Sequence, residues 1–333
     1  MPLTPPPFDP ELADVLRQTA ATVRPDYRLS DLARMRADLA PRPLTDAELT
    51  RDGAFLVEEP LVPGRAGRPG VRLLVCRPTG PVTTPRPLLY HVHGGGLIMG
   101  NRRSGMAKIL DWAQATGAVA VSVEYRLAPE HPYPAALDDV DAGLLWAREH
   151  APDLDADPTQ TIVCGSSAGG GLAAALTQSL RDRGEPQPAG QMLLAPMLDD
   201  RGTSLSSRQM AGMGVWDRTS NSTGWTAYLG STTPDTATPS QAAPGRAGDL
   251  SGLPPAYLDV GSAETFRDEV VAYAGRIWQS GGAAELHVWP GGFHSFENFA
   301  PDAALSRSCR AARLDWLLRA LARTGERVGE EPQ

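Results

Sequence analysis

Two adjacent serines, Ser166 and Ser167, sit in the run VCGSSAGGG from Val163 to Gly171. A serine hydroxyl attacks a carbonyl only when a base takes its proton, and near neutral pH that base is usually histidine held by a carboxylate. The pattern G-x-S-x-G is met by Gly165-Ser166-Ser167-Ala168-Gly169, and its register selects Ser167 as the nucleophile. An apolar segment precedes it and a small-residue segment follows, as strand, turn and helix do around a nucleophile elbow. The competing reading is a strand-to-helix turn capped by a serine.

Six histidines are available as the base. Where the elbow serine comes first, acid and then base follow late in the chain, which leaves His287 and His294. His287 lies inside the strand-like AELHVWP and reads as structural, whereas His294 follows the loop residues Pro290-Gly291-Gly292-Phe293. The acid is expected after the strand-like AYLDVG. Asp259 is inside that segment, so Glu264, the nearest carboxylate beyond it, is favoured. Asp268 is the alternative acid, although it and Glu269 also suit the first turn of the next helix. Upstream, His93-Gly94-Gly95-Gly96 follows PLLYHV. Glycines there let backbone N–H groups reach a developing oxyanion without a Cβ in the way, with Ala168 N–H as a further donor.

Other chemistries are disfavoured. Lys108 is the only lysine, which excludes a G-x-x-x-x-G-K-[ST] phosphate loop and an S-x-x-K pair, and leaves little room for a Schiff-base enzyme. A net charge of −8 argues against a nucleic-acid surface. Cys76, Cys164 and Cys309 form neither a metal or redox motif nor a disulfide framework, so a reducing cytoplasm is expected. The N-terminus lacks the features of a signal peptide, and no stretch of about 18 apolar residues suggests a membrane span. His91 and His93 share one face of a strand but have no third ligand, so no metal is expected. Ser104 and Lys108, four apart, read as ordinary helix surface.

The elements that must hold these residues follow from periodicity. Residues 9–45 read as helical, with Leu12, Val15, Leu16 and Val23, then Leu32, Met35 and Leu39, on apolar faces. AFLVEEPLV and VRLLVCRP read as strands. From Pro87 strands and helices alternate, with helices predicted over 104–116, 135–149, 168–183, 267–280 and 303–322. Such alternation implies a mostly parallel sheet covered on both faces. Residues 199–250 interrupt it, helical in their first half and loop-like in their second. Met210, Met213, Trp216 and Trp225 in that interruption are candidate substrate-pocket residues, although packing is the commoner role for such side chains.

Taken with EYRLAPEHPYPAALDD at Glu124–Asp139, LSGLPPAYLDVGSAETFRDE at Leu250–Glu269 and PGGFHSF at Pro290–Phe296, these motifs resemble the hormone-sensitive-lipase-like carboxylesterases. The resemblance implies an α/β-hydrolase fold with an eight-stranded sheet and a helical cap. It also implies hydrolysis of short- to medium-chain acyl esters without a cofactor, and a homodimer. Carried over by position, Ser167 is nucleophile, His294 base and Glu264 acid, with Gly94 to Gly96 and Ala168 around the oxyanion. Two residues depart from the family pattern: Ser166 replaces the usual elbow aspartate, and the acid is glutamate rather than aspartate. The expected organisation is N-terminal cap helices over 1–45, catalytic core over 46–198 and 236–333, and a cap insertion over 199–235.

Two other functions compete with this one. A nucleotide-dependent oxidoreductase would use the glycines from Gly94 to Gly100 and Glu124, but the spacing is G-x-G-x-x-x-G and no Y-x-x-x-K pair exists. A binding module on the same fold would have lost the chemistry, which the presence of all three catalytic residue types opposes.

Overall fold

The computed structural model describes residues 3–20, 23–39, 42–230 and 237–328. Its strands are β1 (Phe55–Glu58), β2 (Leu61–Val62), β3 (Val71–Pro78), β4 (Arg86–Val92), β5 (Val119–Glu124), β6 (Ala156–Ser166), β7 (Gly190–Leu194), β8 (Ala256–Gly261) and β9 (Ala284–Trp289). The α-helices before the elbow are α1 (Pro10–Thr19), α2 (Leu32–Arg34), α3 (Asp46–Thr50), α4 (Met106–Thr116) and α5 (Ala135–Glu149). Those after it are α6 (Ala168–Asp182), α7 (Leu205–Gln209), α8 (Arg218–Leu229), α9 (Arg267–Gln279), α10 (Phe296–Phe299) and α11 (Ala304–Val328).

The sheet runs β1-β3-β5-β4-β6-β7-β8-β9, eight strands, with the two-residue β2 pairing on β3. Pairs from β5 to β9 are parallel, whereas β3 is antiparallel to β1, β2 and β5. Both faces are covered, and the two-residue period sorts the side chains. Leu73, Val75, Tyr90, Val121 and Val123 join a core shared with α5, α6 and α9. Leu74, Cys76, Leu89 and Ala120 face α4 and α11 on the other side. Strands buried on two faces read as near-continuous apolar runs, as VAVSVE in β5 does.

Chain order reverses at β4, which lies between β5 and β6. The loops leaving the carboxyl ends of β4 and β6 therefore diverge, opening the crevice in which such sheets hold ligands. The glycine loop leaves β4 and the serine turn leaves β6. A third cluster packs α1 through Leu12 against Val215, Phe293, Phe296 and Cys309, which ties the N-terminal segment to the loop carrying His294. Asp9 N donates to Gly291 O at 3.1 Å in the same contact.

Several predicted boundaries move. The N-terminal region holds α1 and a second helical run over 29–39, α2 with a tight turn before it and a wide one after it, while residues 23–28, around Pro25, are not helical. AFLVEEPLV splits at Glu59-Pro60 into β1 and β2. Helix α4 begins at Met106 rather than residue 104, after Gly105 in a left-handed conformation, and α11 continues past residue 322 to Val328. In the 199–235 insertion α7 and α8 supply the expected helices, while residues 231–235 lie outside the described residues.

Candidate active site

Strand β6 delivers Ser167 onto a turn that few residues tolerate: its φ is 56° and ψ is −123°, with α6 starting at the next residue. Non-glycine residues in sparsely populated backbone regions persist only where their surroundings hold them. Here Ser167 N donates to Leu194 O at 2.8 Å, and its carbonyl accepts from Gly171 N and Met197 N, each at 3.0 Å. The motif glycines allow this approach. A Cβ on Gly169 would fall 2.1 Å from Val92 O, so the helix can lie against β4 only without one.

Three side chains drawn from distant parts of the chain meet there. His294 Nε2 lies 3.0 Å from Ser167 Oγ, and its Nδ1 lies 2.9 Å from Glu264 Oε1. Glu264 Oε2 accepts from Gly261 N at 3.2 Å, which fixes the carboxylate against the end of β8. Phe266 meets the imidazole edge-to-face, with centroids 5.2 Å apart. Ser167, Glu264 and His294 are 7%, 3% and 8% exposed, a largely dry setting that strengthens their mutual electrostatics. Asp268 lies elsewhere, its carboxylate accepting from Ser206 N at 2.7 Å and Arg267 Nε at 2.8 Å. His287 packs between Tyr257 and Trp289 within β9. Asp259 is engaged by Arg313 at 2.6 Å.

The glycine loop closes the other side. Gly94, Gly95 and Gly96 line a cavity of about 580 Å³ together with Ser167 and His294. Gly96 has φ +60°, and a Cβ on it would come within 2.2 Å of the Trp216 ring. His93 braces the loop: its Nδ1 lies 2.8 Å from Gly94 O, and its ring stacks on Tyr125 at 4.0 Å. Tyr125 Oη in turn donates to His93 O at 2.9 Å. Burial pushes the His93 pKa down to about 4 and that of His91 well below its ordinary value, so both rings are neutral supports near neutral pH. Ala168 opens α6, where a first-turn N–H has no intrahelical acceptor.

Of the candidate pocket residues, Trp216 lines the cavity. Met210, Met213 and Trp225 do not: Met210 and Trp225 are buried in packing, and Trp225 lies against Tyr228. The reading of Ser104 and Lys108 as helix surface is corrected. Ser104 is buried in the turn before α4, and Lys108 reaches into the cavity, where its Nζ donates to Ser166 Oγ at 2.7 Å. The periodicity of α4 by itself does not mark Lys108. The available signal was its singularity, on the helix that follows the glycine loop. Val23 and Tyr27 from the N-terminal segment and Phe299 from α10 complete much of the apolar wall.

Among the described residues no group of three histidine, cysteine or acidic side chains could hold a metal, and no helix is long and apolar enough to cross a membrane.

A family model of the alpha/beta hydrolase fold matches residues 89–298. Esterase LipI of Mycobacterium tuberculosis is 33% identical over 297 residues, covering 89% of each chain. Carboxylesterase NlhH of the same species is 37% identical over 216 residues, 64% of this chain and 67% of its own. Among solved structures, a bacterial heroin esterase is similar with a TM-score of 0.84 and 35% identity, over 94% of this chain and 98% of that one. The esterase LipW of Mycobacterium marinum gives 0.81 and 34%, over 96% and 98%.

Proposed function

The chain belongs to the hormone-sensitive-lipase-like carboxylesterases of the α/β-hydrolase fold, and from that premise we propose that it cleaves short- to medium-chain acyl esters through Ser167, His294 and Glu264. The observation that carries the assignment is the unbroken relay from Ser167 Oγ through His294 to Glu264, at 3.0 and 2.9 Å.

In the first step Ser167 Oγ attacks the ester carbonyl while His294 Nε2 takes its proton. Glu264, on Nδ1, holds the ring tautomer and stabilises the imidazolium. The oxyanion develops against backbone N–H groups of Gly94 to Gly96 and of Ala168, each such donor contributing roughly 3 kcal/mol. His294 then protonates the leaving alcohol, and water, activated by the same imidazole, releases the acid from the acyl-enzyme. The chain's own groups supply every proton transfer in this scheme, so no cofactor enters it.

The apolar side chains Val23, Tyr27, Val215, Trp216 and Phe299 along the cavity support an acyl-chain substrate. A p-nitrophenyl ester series from acetate to decanoate tests the acyl range, and the expected maximum falls at the short to middle members. A serine-directed organophosphate should label Ser167 with loss of turnover. Labelling elsewhere, or none, would favour a binding module instead. A homodimer and a cytoplasmic site of action are part of the same reading. The three buried free thiols support the latter, and light scattering tests the former.

A further inference from the structure

Charge in the cavity is one-sided. Among the described residues that line it, the formally charged side chains are Arg42, Arg103 and Lys108, and no aspartate or glutamate is present. Two of these cations are already answered. Arg42 pairs with Glu48 at 2.5 Å, and Arg103 with Glu59 at 2.7 Å and Asp46 at 2.8 Å.

Lys108 is different. Its Nζ donates to Ser166 Oγ, on the residue beside Ser167, and it forms no ion pair among the described residues. An ammonium has three N–H donors, so Ser166 leaves two to be met from the cavity side. The two buried acids whose charge reaches Lys108 are paired elsewhere: Arg313 binds Asp259 at 2.6 Å and Glu297 at 2.7 Å. Burial lowers the Lys108 pKa, and Glu297 and Asp259 work against that shift. A buried cation of this kind gains most from a short, charge-assisted hydrogen bond to an anion.

We infer that Lys108 forms a carboxylate-binding subsite beside the elbow, so that preferred esters carry an acid group on the acyl or the alcohol side. The inference rests on the hydrolase reading of Ser167. It gives the absent elbow aspartate a chemical consequence. Serine at position 166 holds the ammonium by a neutral acceptor, whereas a carboxylate there would neutralise it and close the subsite.

Two matched ester pairs test the subsite and distinguish the side. On the acyl side methyl hydrogen glutarate is compared with methyl 5-methylhexanoate, and on the alcohol side 3-(butanoyloxy)propanoate with 3-methylbutyl butanoate. In each pair a carboxylate replaces an isopropyl group of similar shape. The wild-type enzyme should favour the acid member of one pair in kcat/KM, chiefly through KM. Lys108→Met should lower that preference about tenfold or more, and Lys108→Arg should keep most of it. A ratio taken within each variant cancels any loss of folded enzyme. No preference in either pair, or one that Lys108→Met leaves intact, overturns the subsite. Equal loss on both members would instead make Lys108 a counter-charge to the Asp259–Arg313–Glu297 cluster. If p-nitrophenyl butyrate and all four esters resist the wild-type enzyme, the hydrolase reading itself falls.

Discussion

Ser166 and Ser167 share a peptide bond and meet different partners, Lys108 Nζ at 2.7 Å and His294 Nε2 at 3.0 Å. Ser167→Ala is expected to lower kcat for p-nitrophenyl butyrate about a million-fold. Ser166→Ala removes one hydrogen-bond acceptor and should cost no more than about tenfold. Equal losses with folding intact would overturn the assignment of the nucleophile. The acid is separated in the same way. Glu264→Gln keeps the shape but loses the charge on Nδ1, so kcat should fall about ten-thousand-fold, while Asp268→Asn should retain most turnover. The reverse result would move the role to Asp268. These residues were legible because each belongs to a short motif whose chain order has a chemical reason. Lys108 was not, since its partner lies 58 residues away and only the fold brings α4 beneath the elbow. Met210 and Trp225 show the commoner role of such side chains: residue type allowed a pocket, and both are buried in packing.

At the scale of elements, the site exists because α6 presses against the sheet closely enough to carry Ser167 above β6. Gly169→Ala should therefore destabilise the protein by at least about 2 kcal/mol, since its Cβ would meet backbone rather than a yielding side chain. Denaturant unfolding measures this, and an unchanged midpoint would mean that α6 can shift freely. Strand and helix alternation from Pro87 onward was readable because the parallel strands are short apolar runs and turn residues separate them from the longer helices. The N-terminal region was less so. Its apolar spacing suits a helix over 9–45, and helical turns do run without a break over 29–39, but their winding changes along the way and residues 23–28, around Pro25, are not helical.

For the molecule as a whole, the neutral buried histidines set an acid limit. In the unfolded chain both His91 and His93 protonate near pH 6.5, whereas the fold holds His93 down to about 4 and His91 lower than normal. Their folded pKa values are depressed, so no cost appears above pH 6.5. As pH falls below it, the unfolded chain binds protons that the fold refuses, and stability declines until the folded pKa is passed. His93 alone accounts for roughly 3 kcal/mol of this loss by about pH 4. Calorimetric melting temperatures at pH 7, 5.5 and 4.5 should fall in that order, and His93→Asn should flatten the slope. A wild-type slope unchanged in that variant would show that other groups govern the loss.

Lys108 has one more consequence, for anyone who wishes to attach this enzyme to something. Its amine is the only one on any side chain, and it stands inside the reaction chamber. Aldehyde- or succinimide-activated supports, which grip most proteins by surface lysines, would find no such handle on the outer face of this one. Where such a reagent does react with a side-chain amine, it must do so inside the cavity. Carboxylate-directed or engineered thiol coupling would keep the chamber open.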